Sequence, residues 1–131
     1  MTLSEVSILV VDDVNAMRIM TKQVLSISGF KRITLAPDVP SAIAQLETTE
    51  FHMILCDWHM SPLNGLEFLV YLRTQERYRD ILFIMVTAET TSAKVKNAIK
   101  MGVDDYLLKP FSQEQAQAKI YELLVRKKVL R

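Results

Sequence analysis

Cysteine is nearly absent from this chain. Cys56 stands alone among 131 residues, which excludes an internal disulfide. It closes the apolar run Met53-Ile54-Leu55-Cys56 and so reads as a buried packing thiol rather than a reactive one. An excess of charge of one sign is also lacking. Sixteen basic and fifteen acidic side chains leave a formal net charge of +1. General nucleic-acid binding, which needs a basic surface, gains no support from that balance. Partners must then be found through local patches. No apolar run approaches the length of a membrane span. The first residues, Met1 to Ser7, carry no basic segment followed by an apolar one. No membrane association is expected, and a reducing cytoplasm is the expected location. Linkers, repeats and low-complexity stretches are missing too, so the chain reads as a single domain over residues 1–131.

What is present is a core. Half of the residues are hydrophobic, and they recur as short runs. Ile8 to Val11 is the first, Ile33 to Ala36 a weaker second and Met53 to Cys56 the third. Ile81 to Val86 is the fourth, and Tyr106-Leu107-Leu108 the fifth. Near-continuous apolar runs of this length suit strands covered on both faces, as in a parallel sheet. The segments between them have helical periodicity. Met17, Met20, Val24 and Ile27 share a face, and Gly29 can end that helix. Asp38 can cap a second helix carrying Val39, Ala42, Ile43 and Leu46. Asn64 can start a third, with Leu66, Leu69, Val70 and Leu72. A fourth holds Val95, Ala98 and Ile99 and stops near Gly102. The fifth opens on Ser112-x-x-Gln115, a capping-box pattern, with Ala116, Ile120, Leu123 and Leu124 on one face. Strand and helix alternating five times predict a doubly wound α/β domain with helices on both faces of a parallel sheet.

The chemistry lies in what ends each strand. Asp12 and Asp13 follow the first, Asp57 the third, Thr87 the fourth and Lys109 the fifth. In an open parallel sheet the carboxyl ends of the strands border the ligand crevice, so these residues should converge. Carboxylates brought together repel, and each resists ionisation unless a cation joins them. Hard oxygen ligands in such a cluster suit Mg²⁺. The ammonium of Lys109 would offset further negative charge, and Thr87 adds a hydroxyl. A carboxylate nucleophile, a metal, a lysine and a hydroxyl are the parts needed to form and stabilise an acyl phosphate. Singly, each has an ordinary structural explanation. An aspartate pair after a strand is often a helix cap, a lone aspartate a turn residue, and Lys-Pro a turn signal. The joint placement at four strand ends is what argues for a site.

On the strings Val10-Val11-Asp12-Asp13, Asp57-Trp58-His59-Met60, Val86-Thr87-Ala88-Glu89 and Lys109-Pro110-Phe111 the chain resembles the receiver domains of two-component response regulators. The resemblance spans essentially its full length and is strongest to the single-domain chemotaxis regulators. It implies a flavodoxin-like (βα)5 fold with a five-stranded parallel sheet in the order 2-1-3-4-5. It implies that Asp57 accepts a phosphoryl group from a histidine kinase of the chemotaxis type. It implies that Asp13, Asp57 and the backbone carbonyl of His59 ligate Mg²⁺, with Asp12 supporting the metal largely through water. Lys109 would contact the phosphoryl group. Thr87 would bond one of its oxygens and shift, and Tyr106 would swing inward behind it. A cis Lys109-Pro110 bond is implied as well. The output face would comprise the fourth helix, fifth strand and fifth helix. Thr90, Val95, Tyr106, Leu108, Phe111 and Lys119 match its positions, some by type only. A flagellar motor switch protein is the implied target, and a phosphatase an implied further partner.

On this reading the chain is a signalling switch that assists its own phosphorylation and dephosphorylation rather than an enzyme with a separate substrate. It departs from the family pattern at Ser61, where a proline is usual and Pro62 follows instead. It departs again at Pro37-Asp38-Val39-Pro40 before the second helix, at Val14 in place of an aromatic and at His59 in place of asparagine. Two other readings remain: the receiver part of a larger DNA-binding or enzymatic regulator, and a phosphorelay carrier. A haloacid-dehalogenase phosphatase would need Asp-x-Asp where this chain has Asp57-Trp58-His59. A flavodoxin would need a Ser/Thr-rich loop where it has Asp12-Asp13. Trp58 is expected at a partly exposed rim, His59 with its ring at the pocket mouth, His52 at the surface of a strand start, and the seven methionines as core filler.

Overall fold

A computed structural model describes residues 1–130. A short 3-10 turn at Leu3–Glu5 precedes β1 (Ser7–Val11), α1 (Asn15–Ile27), β2 (Arg32–Ala36), α2 (Val39–Thr48) and β3 (Met53–Cys56). There follow α3 (Gly65–Thr74), β4 (Leu82–Thr87), α4 (Ser92–Lys100), β5 (Asp105–Leu108) and α5 (Gln113–Arg126). All strand pairs are parallel, in the order β2-β1-β3-β4-β5.

Alternation along the strands builds two core layers. Leu9, Val11, Ile54, Cys56, Phe83 and Met85 face α2, α3 and α4, where Val39, Ala42, Leu46, Phe68, Leu69, Leu72 and Ala98 meet them. Ile8, Val10, Met53, Leu55, Ile84 and Val86 face α1 and α5, against Leu25, Ala116, Ile120, Leu123 and Leu124. Burial on both faces is why β1, β3 and β4 are apolar except at their ends, Ser7 and Thr87.

The caps fall where the sequence puts them. The carboxylate of Asp38 accepts from the Ser41 N–H, and Asn64 and Ser112 each close a capping box, with Glu67 and Gln115 respectively. Gly29 follows α1 with φ of +107°, in the left-handed region open to glycine. The helical faces differ from the expected ones at three positions. Ile27 is 74% exposed, whereas Thr21 and Leu25 carry the buried side of α1. Val70 and Ile99 also face outward, and Phe68 supplies the α3 core contact. Single apolar residues on the exposed side of a helix fit its period as well as their buried neighbours do.

One cluster binds the elements at the amino ends of the strands. The Arg73 guanidinium, in the last turn of α3, donates to the carbonyls of Gly102, Arg79 and Ile81 and pairs with Asp104 at 2.9 Å. Asp104 in turn accepts from the Phe83 N–H. His52 also lies at this end and is half-buried; its Nδ1 accepts from the Ser7 N–H at 2.9 Å. It is therefore a strut between β1 and β3 rather than a surface residue. Among the described residues, no helix is long and apolar enough to cross a membrane.

Candidate functional site

Strand register assembles the site. Val11 lies beside Cys56, and Thr87 beside Leu108. The ladder runs one residue further at each place, since the Asp57 N–H donates to the Val11 carbonyl and the Lys109 N–H to the Thr87 carbonyl, both at 3.0 Å. Asp12, Asp57 and Lys109 are thus held by main-chain bonds just past the strand ends, with Thr87 closing β4. A carboxylate oxygen from each of Asp12, Asp13 and Asp57 lies within 4.8 Å of the others. Asp12 is 4% exposed and Thr87 1% exposed, whereas Asp13 is open to solvent.

The cluster is partly neutralised from within. Lys109 Nζ lies 2.8 Å from Asp12 Oδ2 and 3.3 Å from Asp57 Oδ2. Burial works against the ammonium. The Asp12 hydrogen bond and the charges of Asp57 and Asp12 outweigh it and hold the Lys109 pKa above the ordinary lysine value. The remaining carboxylate oxygens are oriented by main-chain donors. Asp12 Oδ1 accepts from the Val14 N–H, and Asp57 Oδ1 from the Trp58 N–H at 2.7 Å. One lysine among three carboxylates leaves an excess of negative charge, and an all-oxygen donor set with one solvent-facing member fits Mg²⁺. The Cys56 thiol, at the base of the site, is pushed well up by burial and then by the charges of Asp57 and Asp12. It is inert packing, as its sequence context indicates.

The loop from Asp57 to α3 is pinned rather than free. The Gly65 N–H donates to the Trp58 carbonyl at 2.8 Å, and a Cβ on Gly65 would collide with the Asp57 carbonyl oxygen. Gly65 was not singled out in the sequence; its signal was a glycine, a poor helix former, at the first position after the Asn64 cap. Trp58 departs from expectation. It is 5% exposed and belongs to the core layer with Phe68 and Met60, so it is not a rim residue. The Lys109-Pro110 bond is cis as expected, and Ser61-Pro62 is cis as well.

The mouth is bridged. His59 Nε2 lies 3.3 Å from Glu89 Oε2, and its ring is exposed at the rim. Glu89 also accepts from the Thr91 N–H and pairs with Lys94 at 3.2 Å. These partners, Thr91 first, lower its pKa to about 2. Its main chain reaches inward: the N–H donates to Thr87 Oγ1 at 3.3 Å, and the carbonyl accepts from the Tyr106 hydroxyl at 3.1 Å. Tyr106 is half-buried, and its pKa is pushed up to about 12 by burial, then by the charges of Glu89 and Asp57.

Beyond Tyr106, a cavity of about 440 Å³ is lined by Thr90, Val95, Tyr106, Leu108 and Lys119 together with Leu107, Pro110 and Gln115. Five of the six residues matched to an output face therefore meet. Phe111 does not line this cavity; it packs, half-buried, against the core layer of α1 and α5.

Residues 8–121 match the family model described as the response regulator receiver domain. The chain is 33% identical over 119 residues to the chemotaxis protein CheY of Pseudomonas aeruginosa, covering 91% of this chain and 96% of that one. It is 35% identical over 118 residues to the CheY homolog of Campylobacter jejuni, covering 89% and 91%. Among solved structures, chemotaxis response regulator CheY4 of Vibrio cholerae superposes with a TM-score of 0.84 at 28% identity, covering 91% of this chain and 98% of that one.

Proposed function

This chain belongs to the response regulator receiver domain family, and we propose that it is a phospho-switch in which Asp57 is the phosphoacceptor. The observation that carries this reading is the Lys109 ammonium set between Asp12 and Asp57 within a three-carboxylate cluster. A carboxylate oxygen of Asp57 attacks the phosphorus of a phosphohistidine on the donor kinase. The P–N bond breaks as the new P–O bond forms, and the electron pair leaves with the imidazole nitrogen, which takes up a proton. Lys109 and the Thr87 hydroxyl are positioned to meet the phosphoryl oxygens, whose negative charge they stabilise. Asp12, Asp13, Asp57 and the His59 carbonyl would hold Mg²⁺. When bound, the ion supplies charge neutralisation for the phosphoryl oxygens.

The partner is a histidine kinase of a two-component system. The chemotaxis proteins among the relatives support a kinase of the chemotaxis type, and on this reading the target is a flagellar motor switch protein in the cytoplasm. The cavity between α4, β5 and α5 is the surface offered to that target.

The test uses a radiolabelled small phosphodonor with Mg²⁺. Wild type should acquire a base-labile acyl phosphate, and Asp57→Asn should acquire none. Undiminished labelling of the variant would overturn the assignment of Asp57.

A further inference from the structure

Glu89 contacts Thr87, Tyr106, the start of α4 and the loop that leaves Asp57. Its N–H donates to the Thr87 hydroxyl, and its carbonyl accepts from the Tyr106 hydroxyl. Its carboxylate holds the Thr91 N–H at the start of α4, Lys94 one turn further on, and His59 in the loop that leaves Asp57. No other side chain in the site joins the Asp57 loop to α4 through one group among the described contacts.

We propose that the Glu89 carboxylate is a tether that transmits a change at Asp57 to the first turn of α4, and that His59 and Lys94 are its two anchor points. The inference rests on the phosphoacceptor reading of Asp57 and goes beyond it. A hydroxyl donates and accepts at once. Thr87 therefore keeps the Glu89 N–H while it turns its own proton toward a phosphoryl oxygen. Moving Thr87 draws the Glu89 main chain with it. The carboxylate follows, and α4 is loaded at Thr91 and Lys94 because both hold that carboxylate. His59 sets the resting position by anchoring the same carboxylate from the opposite wall of the mouth. The three bonds are charge-assisted or to a main-chain amide, and they act at the end of a nine-residue helix with a single fully buried side chain, Ala98. So lightly packed a helix is easily displaced.

The test is amide hydrogen exchange on the full chain with Mg²⁺, with and without beryllofluoride, a phosphoryl analogue whose binding is read by fluorine NMR. The reporters are the amides of Thr91 and of Val95; the latter donates to the Thr91 carbonyl in the first turn of α4. In wild type, beryllofluoride should change their exchange rates by about fivefold or more, the lower bound of ordinary coupling. In Glu89→Gln it should still bind, yet the change should fall below about twofold. Lys94→Met, outside the acidic cluster, should reduce the response in the same direction. It should also shift the His59 ring resonance at fixed pH while leaving that of His52, the only other histidine, in place. A full wild-type response in Glu89→Gln overturns the tether. Failure of beryllofluoride to bind wild type overturns instead the phosphoacceptor reading on which it rests.

Discussion

At Asp13 the acidic cluster opens to solvent, and there the cost of assembling three carboxylates is most easily relieved. Lys109 pairs with Asp12 and Asp57 but has no contact with Asp13 among the described ion pairs. Mg²⁺ should therefore bind the folded chain and raise its melting temperature. The gain is about 2.7 kcal/mol at free Mg²⁺ one hundred times its Kd. Asp13→Ala should lose most of the increment, as read by melting curves with and without the ion. A wild-type curve indifferent to Mg²⁺ would count against the site. Tyr106 offers a second measurement. Its folded pKa of about 12 lies above the ordinary tyrosine value of about 10. The fold thus favours the neutral phenol. That contribution is intact below pH of about 10 and is lost as pH rises through about 12. The difference titration at 295 nm between wild type and Tyr106→Phe should have its midpoint near 12; a midpoint at the ordinary value would show the ring to be freely solvated.

At the scale of the element, α3 is fixed at both ends. Its first residue, Gly65, lies against the Asp57 carbonyl, and its last turn sends Arg73 across to Gly102 and Asp104. Gly65→Ala should force the helix start away from the Asp57 loop and cost about 1–3 kcal/mol, the usual range for overpacking. Chemical denaturation measures the loss, and an unchanged midpoint would contradict the crowding. Arg73 and Asp104 went unnoticed in the sequence because nothing local pairs an arginine with a carboxylate 31 positions away. At α1 the local pattern is present but ambiguous. Ile27 fits the apolar periodicity as well as Leu25 does, and only the placement of α5 shows which of them is covered.

Across the whole molecule, the site and the α4-β5-α5 cavity are linked through Thr87, Glu89 and Tyr106. A phosphoryl group adds roughly −1.5 to −2 units of charge. On the proposed reading it would shift the α4-β5-α5 face only through a difference in affinity between the two states. For wild type, a motor-switch peptide should bind about 5–150-fold more tightly in the presence of beryllofluoride. Thr87→Ala should still form the acyl phosphate at Asp57, yet its affinity ratio should fall toward one. Retention of the full ratio would remove Thr87 from the relay.

Periodicity and side-chain chemistry are enough to specify the alternation of five strands and five helices, the caps at Asp38, Asn64 and Ser112, and the identity of the residues at the strand ends. These are local matters of periodicity and side-chain chemistry, and a parallel sheet converts strand ends into neighbours by rule. The strand order was legible through family resemblance alone. Packing between distant segments is what makes Trp58 core rather than rim, keeps Phe111 out of the α4-β5-α5 cavity, and gathers His59, Lys94, Thr87 and Tyr106 around Glu89. Each depends on which loop packs over which helix, a contact between distant segments that no local pattern encodes.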